Sequence, residues 1–309
     1  MRAQLLLPAL GAALIGLSAC DIEDWGGNFE RFQTDFHYNY PLKSDGRVAI
    51  ESFNGSVEIS GWDQSTVDIS GVKYGPTQTA ADALKIDISD SPEEISVRAV
   101  RPSDRRGNLG ARFIVKIPRG AHLDRIVTSN GAIRTTDGAG PARLRTSNGS
   151  IRVQDLAGSL DAQTSNSGVD LLNIAGDATV HSSNGHVRAE GLRGSLDANT
   201  SNGGIDAKIG EAAKSLRLDT SNGSVDLSLP ANFSSDVRVV TSNSSITVRM
   251  PSEPNARLVA HTSNASITSD FGIRMQGRID KNHVEGALGN GGALIDLGTS
   301  NGGIRLLRM

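Results

Sequence analysis

The four-residue phrase Thr-Ser-Asn-Gly recurs along this chain, at 128–131, 146–149, 200–203, 220–223 and 299–302. Variants read Thr-Ser-Asn-Ser at 164–167 and 241–244, Ser-Ser-Asn-Gly at 182–185 and Thr-Ser-Asn-Ala at 262–265. The starts at 128, 146, 164, 182 and 200 are each 18 residues apart; the next steps are 20, 21 and 21, and the last gap is 37. A short fixed period implies a stack of identical units, each touching only its neighbours. The flanks alternate in steps of two, as in Leu144-x-Thr146, Ile151-x-Val153 and Leu216-x-Leu218-x-Thr220. That is strand period. Eighteen residues are too few for a strand and a helix, so each unit is one turn of strands. The expected fold is all-β: a parallel β-solenoid (β-helix) of about ten short coils with β-rich N-terminal and C-terminal caps.

Stacking turns each repeat position into a column with a spacing of roughly 4.8 Å. The asparagine column is Asn130, Asn148, Asn166, Asn184, Asn202, Asn222, Asn243, Asn264 and Asn301. An amide both donates and accepts, so such a column can satisfy itself as a structural ladder. Asn and Gly also tolerate left-handed backbone angles, which makes Ser-Asn-Gly the expected first corner. Gly140, Gly158, Gly176 and Gly194, again 18 apart, mark a second. An outward column reads Arg134, Arg152, Asp170, Arg188, Asp206 and Asp226, and another Arg143, Asp161, Thr179, Asp197 and Arg217. Alternating signs there penalise a slipped register.

The first residues are of a different kind. Met1-Arg2 precedes an apolar run from Ala3 to Leu17 that ends in Leu17-Ser18-Ala19-Cys20. The run is short and interrupted for a spanning helix. It resembles a bacterial lipoprotein signal peptide, with Cys20, the one cysteine in 309 residues, at the position that receives lipid. The resulting division is 1–19 signal peptide, 20–46 lipidated N-terminus and linker, 47–120 N-terminal β cap region with one short helix near 77–84, 121–270 solenoid repeats, and 271–309 C-terminal capping coil. The expected location is the bacterial cell envelope, anchored on a membrane, with the leaflet undetermined.

The chemistry-bearing residue types recur in nearly every unit, whereas an active site needs a unique constellation. The net charge of −3 gives no basic field for nucleic acid. A single Cys excludes a disulfide framework and Cys-rich metal sites. His181 and His186 are five residues apart across a bend, unlike a two-His helix site. Arg101, Arg105, Arg106 and Arg112 form the one local basic loop. Catalytic, cofactor and metal residues are therefore expected to be none, and no cofactor is required.

With Asn54-Gly55-Ser56-Val57-Glu58-Ile59-x-Gly61-Trp62 upstream, and a Gly-rich 286–292 ahead of Thr299-Ser300-Asn301-Gly302-Gly303-Ile304, the chain resembles a bacterial family of unknown function described as inferred adhesins. That resemblance implies a β-solenoid and supplies no catalytic residue. The expected function is a non-enzymatic, membrane-anchored scaffold or adhesion module with an unknown protein or glycan partner. The alternatives are a carbohydrate-binding or carbohydrate-active β-helix, with Asp155, Asp161 and Asp170 as its acidic candidates, and an element that assembles end to end.

Overall fold

The computed structural model describes residues 32–103, 107–210, 213–275 and 280–309. The signal segment, Cys20, Arg105 and Arg106 lie outside the described residues. The chain opens with β1 (Phe32–Pro41), β2 (Arg47–Glu51), β3 (Val57–Trp62), β4 (Thr66–Gly75), α1 (Gln78–Ala83), β5 (Lys85–Asp90), β6 (Glu94–Val100) and β7 (Gly110–Pro118). Paired strands then follow, two to a coil: β8 (His122–Thr128) with β9 (Ile133–Gly138), β10 (Ala142–Thr146) with β11 (Ile151–Leu156), and β12 (Leu160–Thr164) with β13 (Val169–Ile174). Next come β14 (Ala178–Ser182) with β15 (Val187–Leu192), β16 (Leu196–Thr200) with β17 (Ile205–Ile209), β18 (Leu216–Thr220) with β19 (Val225–Ser228), and β20 (Val237–Val240) with β21 (Ile246–Met250). The C-terminal part holds β22 (Ala256–Thr262), β23 (Ile267–Ser269), β24 (Arg274–Met275), β25 (His283–Leu288), β26 (Ala293–Thr299) and β27 (Ile304–Arg308).

The strands form a 13-stranded and a 14-stranded sheet, here sheets I and II, and each coil gives one strand to each. The fold is a parallel β-solenoid. Residues 18 apart pair directly: Ile151 with Val169, Leu160 with Ala178, Val187 with Ile205. The inward column of sheet I runs Ile133, Ile151, Val169, Val187, Ile205, Val225, Ile246 and Ile304, each at most 1 % exposed. Facing it, sheet II exchanges large for small between coils: Ala142 with Leu144, Leu160 with Ala162, Ala178 with Val180, Leu196 with Ala198. Side-chain volume per coil stays nearly even, and in these repeat coils aliphatic residues fill the narrow space between sheets.

One inward position breaks the pattern. Thr135 shares a column with Val153, Leu171, Ala189 and Ala207, and its Oγ1 is buried with no hydrogen-bond partner. A buried hydroxyl without a partner costs about 1–3 kcal/mol. Thr135→Val is expected to raise stability by about 1–2 kcal/mol, read as a higher urea or thermal midpoint; a lowered midpoint would show that the hydroxyl does find a partner.

Three features differ from the expectation drawn from the sequence. Residues 32–41, assigned there to a linker, are the ten-residue strand β1, paired antiparallel with β4 along its full length. The aromatic alternation Phe36-x-Tyr38-x-Tyr40 underlies it: Phe36 packs edge-on against the buried Phe113 at 5.4 Å between centroids. Within the cap region 47–120, β2 and β3 are ordinary coil strands, lying between β8 and β6 in sheet II and between β9 and β7 in sheet I. And 271–309 is not the outermost coil. β26 and β27 insert between β20–β21 and β22–β23, so the last strands in the chain are interior to the stack. The gap of 37 residues is the length of chain needed to go out and come back.

Each end is therefore closed by sequence-distant strands. At the N-terminal end β4 and β1 extend sheet I antiparallel and β5 extends sheet II. Thr77 caps α1, accepting from the Ala80 N–H at 3.1 Å, and Ala80, Ala81 and Leu84 are buried. At the C-terminal end β25 pairs antiparallel with β22 and β24 antiparallel with β25, extending sheet II.

Candidate functional site

The repeated phrase is the first place to look for a site, because it concentrates hydroxyls and amides. Its threonines point inward: Thr128, Thr146, Thr164, Thr200, Thr220, Thr241, Thr262 and Thr299 are all buried, as is Ser182. Each hydroxyl donates to the carbonyl of the residue ending the phrase one coil below, as in Thr164 Oγ1 to Gly149 O at 2.9 Å and Thr200 Oγ1 to Gly185 O at 3.1 Å. In Thr146, Ser182, Thr200, Thr220 and Thr299 the same oxygen accepts from the glycine N–H three residues on. One hydroxyl thus closes a turn and ties it to the coil beneath.

The asparagines face solvent and form a continuous ladder. Asn148 Nδ2 donates to Asn130 Oδ1 at 2.7 Å, Asn166 to Asn148 at 2.6 Å, Asn184 to Asn166 at 2.9 Å, Asn202 to Asn184 at 2.8 Å and Asn222 to Asn202 at 2.8 Å. Asn243 continues at 2.7 Å and Asn301 donates to Asn243 at 2.8 Å. Asn264 then donates to Asn301 at 2.7 Å, following the inserted coil rather than chain order. At the other end Asn130 donates to Asn54, whose own amide reaches Leu109 O at 3.0 Å.

The glycine that ends the phrase has a physical reason other than backbone angle. The left-handed residues among those described do not include Asn130, Gly131, Asn148 or Gly149. A Cβ on Gly149 would instead lie 1.8 Å from Gly131 O, and one on Gly203 would lie 2.0 Å from Gly185 O. Close stacking, not positive φ, selects glycine at that corner. The left-handed corner lies elsewhere: Asp137, Asp155 and Asn173 at φ 57, 53 and 56°, then Gly191 at 71°. These four are also 18 apart. The signal was present in the sequence as Asp, Asp, Asn and Gly in one column, the residue types that tolerate this geometry.

The acidic candidates do not meet. Asp155 sits at the left-handed corner with Asn173 Nδ2 at 2.9 Å, Asp170 pairs with Arg152 at 3.0 Å, and Asp161 lies 3.5 Å from Arg143 and 3.6 Å from Arg145. Arg188 forms no ion pair with either column neighbour, and Asp206 takes His186 instead at 3.0 Å. These pairs are solvent-exposed and each contributes about 0–1 kcal/mol. His181 lies across a bend from His186 without joining it. In the basic loop Arg101 stacks over Phe53 and donates to Gly107 O at 3.0 Å, while Arg112 stacks over Tyr74. Among the described residues no group of three or more His, Cys, Asp or Glu is placed to hold a metal ion. An open depression of about 380 Å³ lies on sheet I around Arg188, Glu190, Asp206, Lys208, Asp226 and Arg249. Its carboxylates are paired: Asp206 with His186, Asp226 with Arg249 at 2.8 Å, Glu190 with Lys208 at 3.1 Å.

A family model described as Toastrack DUF4097 matches residues 47–248, well over half of the chain. The chain belongs to the Toastrack family. No curated protein matches it. Solved structures similar to this Toastrack chain include a protein of inferred cell-adhesion role from Clostridium sporogenes, 10% identical, covering 89% of this chain and 100% of its own, with a TM-score of 0.25. An inferred adhesin from Bacteroides fragilis is 12% identical, covering 89% and 97%, with a TM-score of 0.34. Another from Parabacteroides distasonis is 12% identical over the same shares, with a TM-score of 0.31.

Acid is expected to loosen the Toastrack coils through two corner carboxylates. Asp155 is held below its ordinary value of 3.8 by hydrogen bonds from Asn173 and then Gln154. Asp177 is held below 3.8 by the Ser195 N–H and, more weakly, by the Lys214 charge. A depressed folded value means that the stabilisation is complete above the unfolded value and is lost as pH falls through the folded one. Melting temperature should hold level from neutral pH to about pH 4 and fall below it, and Asp155→Asn with Asp177→Asn should flatten the fall. A decline already under way at about pH 6 would contradict this assignment.

Proposed function

We propose that this Toastrack protein is a non-enzymatic cell-envelope lipoprotein, held on a membrane by lipid at Cys20, whose solenoid is an interaction module for a protein or glycan. The observation that carries the reading is where the reactive groups go. The hydroxyls that open each phrase are consumed by turn closure and coil-to-coil bonds, amides by the ladder, and the carboxylates of the sheet I depression by cations, while the serines in second place in the phrase face outward. What remains outward is a regular, nearly flat array of charged and amide groups. Flat, regular faces suit extended recognition better than enclosure of a reacting bond.

The test uses the full chain, extracted in detergent, as bait against envelope proteins and on a glycan array. Saturable capture of one protein or one glycan class, weakened by charge reversal on one sheet face, is expected. Turnover of a polysaccharide, abolished by Asp226→Asn, would replace this reading with the carbohydrate-active one. Anchoring is tested separately with a palmitate analogue: label is expected on the native chain and absent from Cys20→Ala, and label that persists would remove the lipid from the account.

A further inference from the structure

Four strands end the two sheets, and one of them is suited to accept another strand. β23 has three residues and β24 two. β5 has six residues and carries Lys85, Asp87 and Asp90, charges of the kind that blunt a sheet edge. β1 has ten residues, no lysine, and among the described residues pairs along one side alone, with β4. Its Phe32 and Tyr38 are 39% and 37% exposed.

The direction of its open groups follows from the ladder. The Leu42 N–H donates to Ser65 O at 3.1 Å, one step beyond the pair Pro41 with Thr66. In an antiparallel ladder, hydrogen-bonded residues alternate. The even-numbered residues therefore bond to β4, and the N–H and C=O groups of Gln33, Asp35, His37 and Asn39 point to the open edge. Pro41, which has no N–H, falls in the outward set, where its loss costs β4 nothing.

We infer that β1 is the seam of a two-fold homodimer, pairing antiparallel with β1 of a second copy about Phe36. Charge selects this register. Centred on Phe36, Asp35 of one copy faces His37 of the other, twice by symmetry, and Gln33 faces Asn39. Centred on residue 35, Asp35 meets Asp35; centred on residue 37, His37 meets His37. Asp35 has no ion pair or hydrogen bond among the described residues, while His37 Nε2 lies 2.7 Å from Asp68 Oδ2 on its own β4, leaving Nδ1, which donates to the Asp35 carboxylate of the second copy when the imidazole carries both protons. On the other face Phe36 meets Phe36, Tyr38 meets Thr34 and Phe32 meets Tyr40, covering both exposed aromatics. Four outward-facing pairs give about eight backbone hydrogen bonds. Both partners use the same patch, so assembly closes at two copies and does not continue into a filament.

The experiment is sedimentation equilibrium of the full chain in detergent, in a Cys20→Ser background for the cysteine variants. A dimer mass is expected at micromolar concentration. Asp35→Pro, which removes one outward N–H, should give a monomer with unchanged circular dichroism and melting. Asp35→Lys, which keeps the backbone, should weaken dimerisation about tenfold or more by removing both Asp35–His37 contacts and setting a cation beside each imidazole. Phe36→Cys should oxidise to a covalent dimer, because residue 36 faces itself, and Tyr38→Cys should not. A monomer at every concentration, a dimer that survives both Asp35 variants, or cross-linking through residue 38 rather than 36 would overturn the inference.

Discussion

A chain stopped at residue 292 is expected to lose its fold from about β22 onward while the coils before it stay intact. Removing 293–309 takes out β26 and β27, the strands that hold β22 and β23 to the rest of the stack. Ile295, Leu297, Ile304 and Leu306 are 3% exposed or less, and full burial of such side chains is worth about 1.5–3 kcal/mol each. The loss of about 6–12 kcal/mol is comparable to the whole stability of a typical domain. It does not unfold everything, because in a stacked repeat each coil depends mainly on its neighbours. Limited proteolysis should trim the truncated chain back to about β21 and spare the preceding coils. A resistant fragment still containing β22 would mean that it can restack directly on β20, and that the inserted coil is dispensable.

Thr200→Val should cost more than any change in the exposed ladder. The Thr200 hydroxyl is 3% exposed, donates to Gly185 O at 3.1 Å and accepts from Gly203 N at 3.3 Å. Valine keeps the shape and leaves both backbone groups buried without a partner. At about 1–3 kcal/mol for each, the expected loss is about 2–6 kcal/mol. Asn184→Ala removes three bonds, to Asn166 and Ser165 O and from Asn202, but water replaces them, so about 1 kcal/mol or less per bond is expected. Urea midpoints of the two variants give the comparison. Equal losses would place the weight of the repeat in its amides rather than its hydroxyls.

The coil spacing was legible in the sequence because stacking makes residue identity periodic: Ile151, Val169 and Val187 can be aligned without coordinates. The inward turn of the threonines was not legible, since a hydroxyl suits a surface as well as a satisfied interior. The phrase glycine suggests a left-handed backbone angle from sequence, whereas a Cβ at Gly149 meets Gly131 O and its φ is not positive. Two residue properties coincide in glycine, and the sequence does not separate them. The left-handed column is not legible in the sequence as a repeat, because Asp137, Asp155, Asn173 and Gly191 share a conformational tolerance, not an identity. Strand order at the ends was hidden for a different reason. Phrase spacing counts residues along the chain, and an inserted coil such as β26–β27 alters who stacks on whom without altering the phrases.

The account rests on vertical neighbours, and a disulfide scan down the asparagine column measures them directly. Adjacent coils place equivalent Cα atoms about 4.8 Å apart, within disulfide reach, and coils two apart lie beyond it. In a Cys20→Ser chain, cysteine pairs at 184 and 202, at 243 and 301, and at 264 and 301 should oxidise readily, whereas the pair at 243 and 264 should stay reduced. Ready bonding of 243 to 264, or failure of 184 to bond 202, would contradict the stack described here.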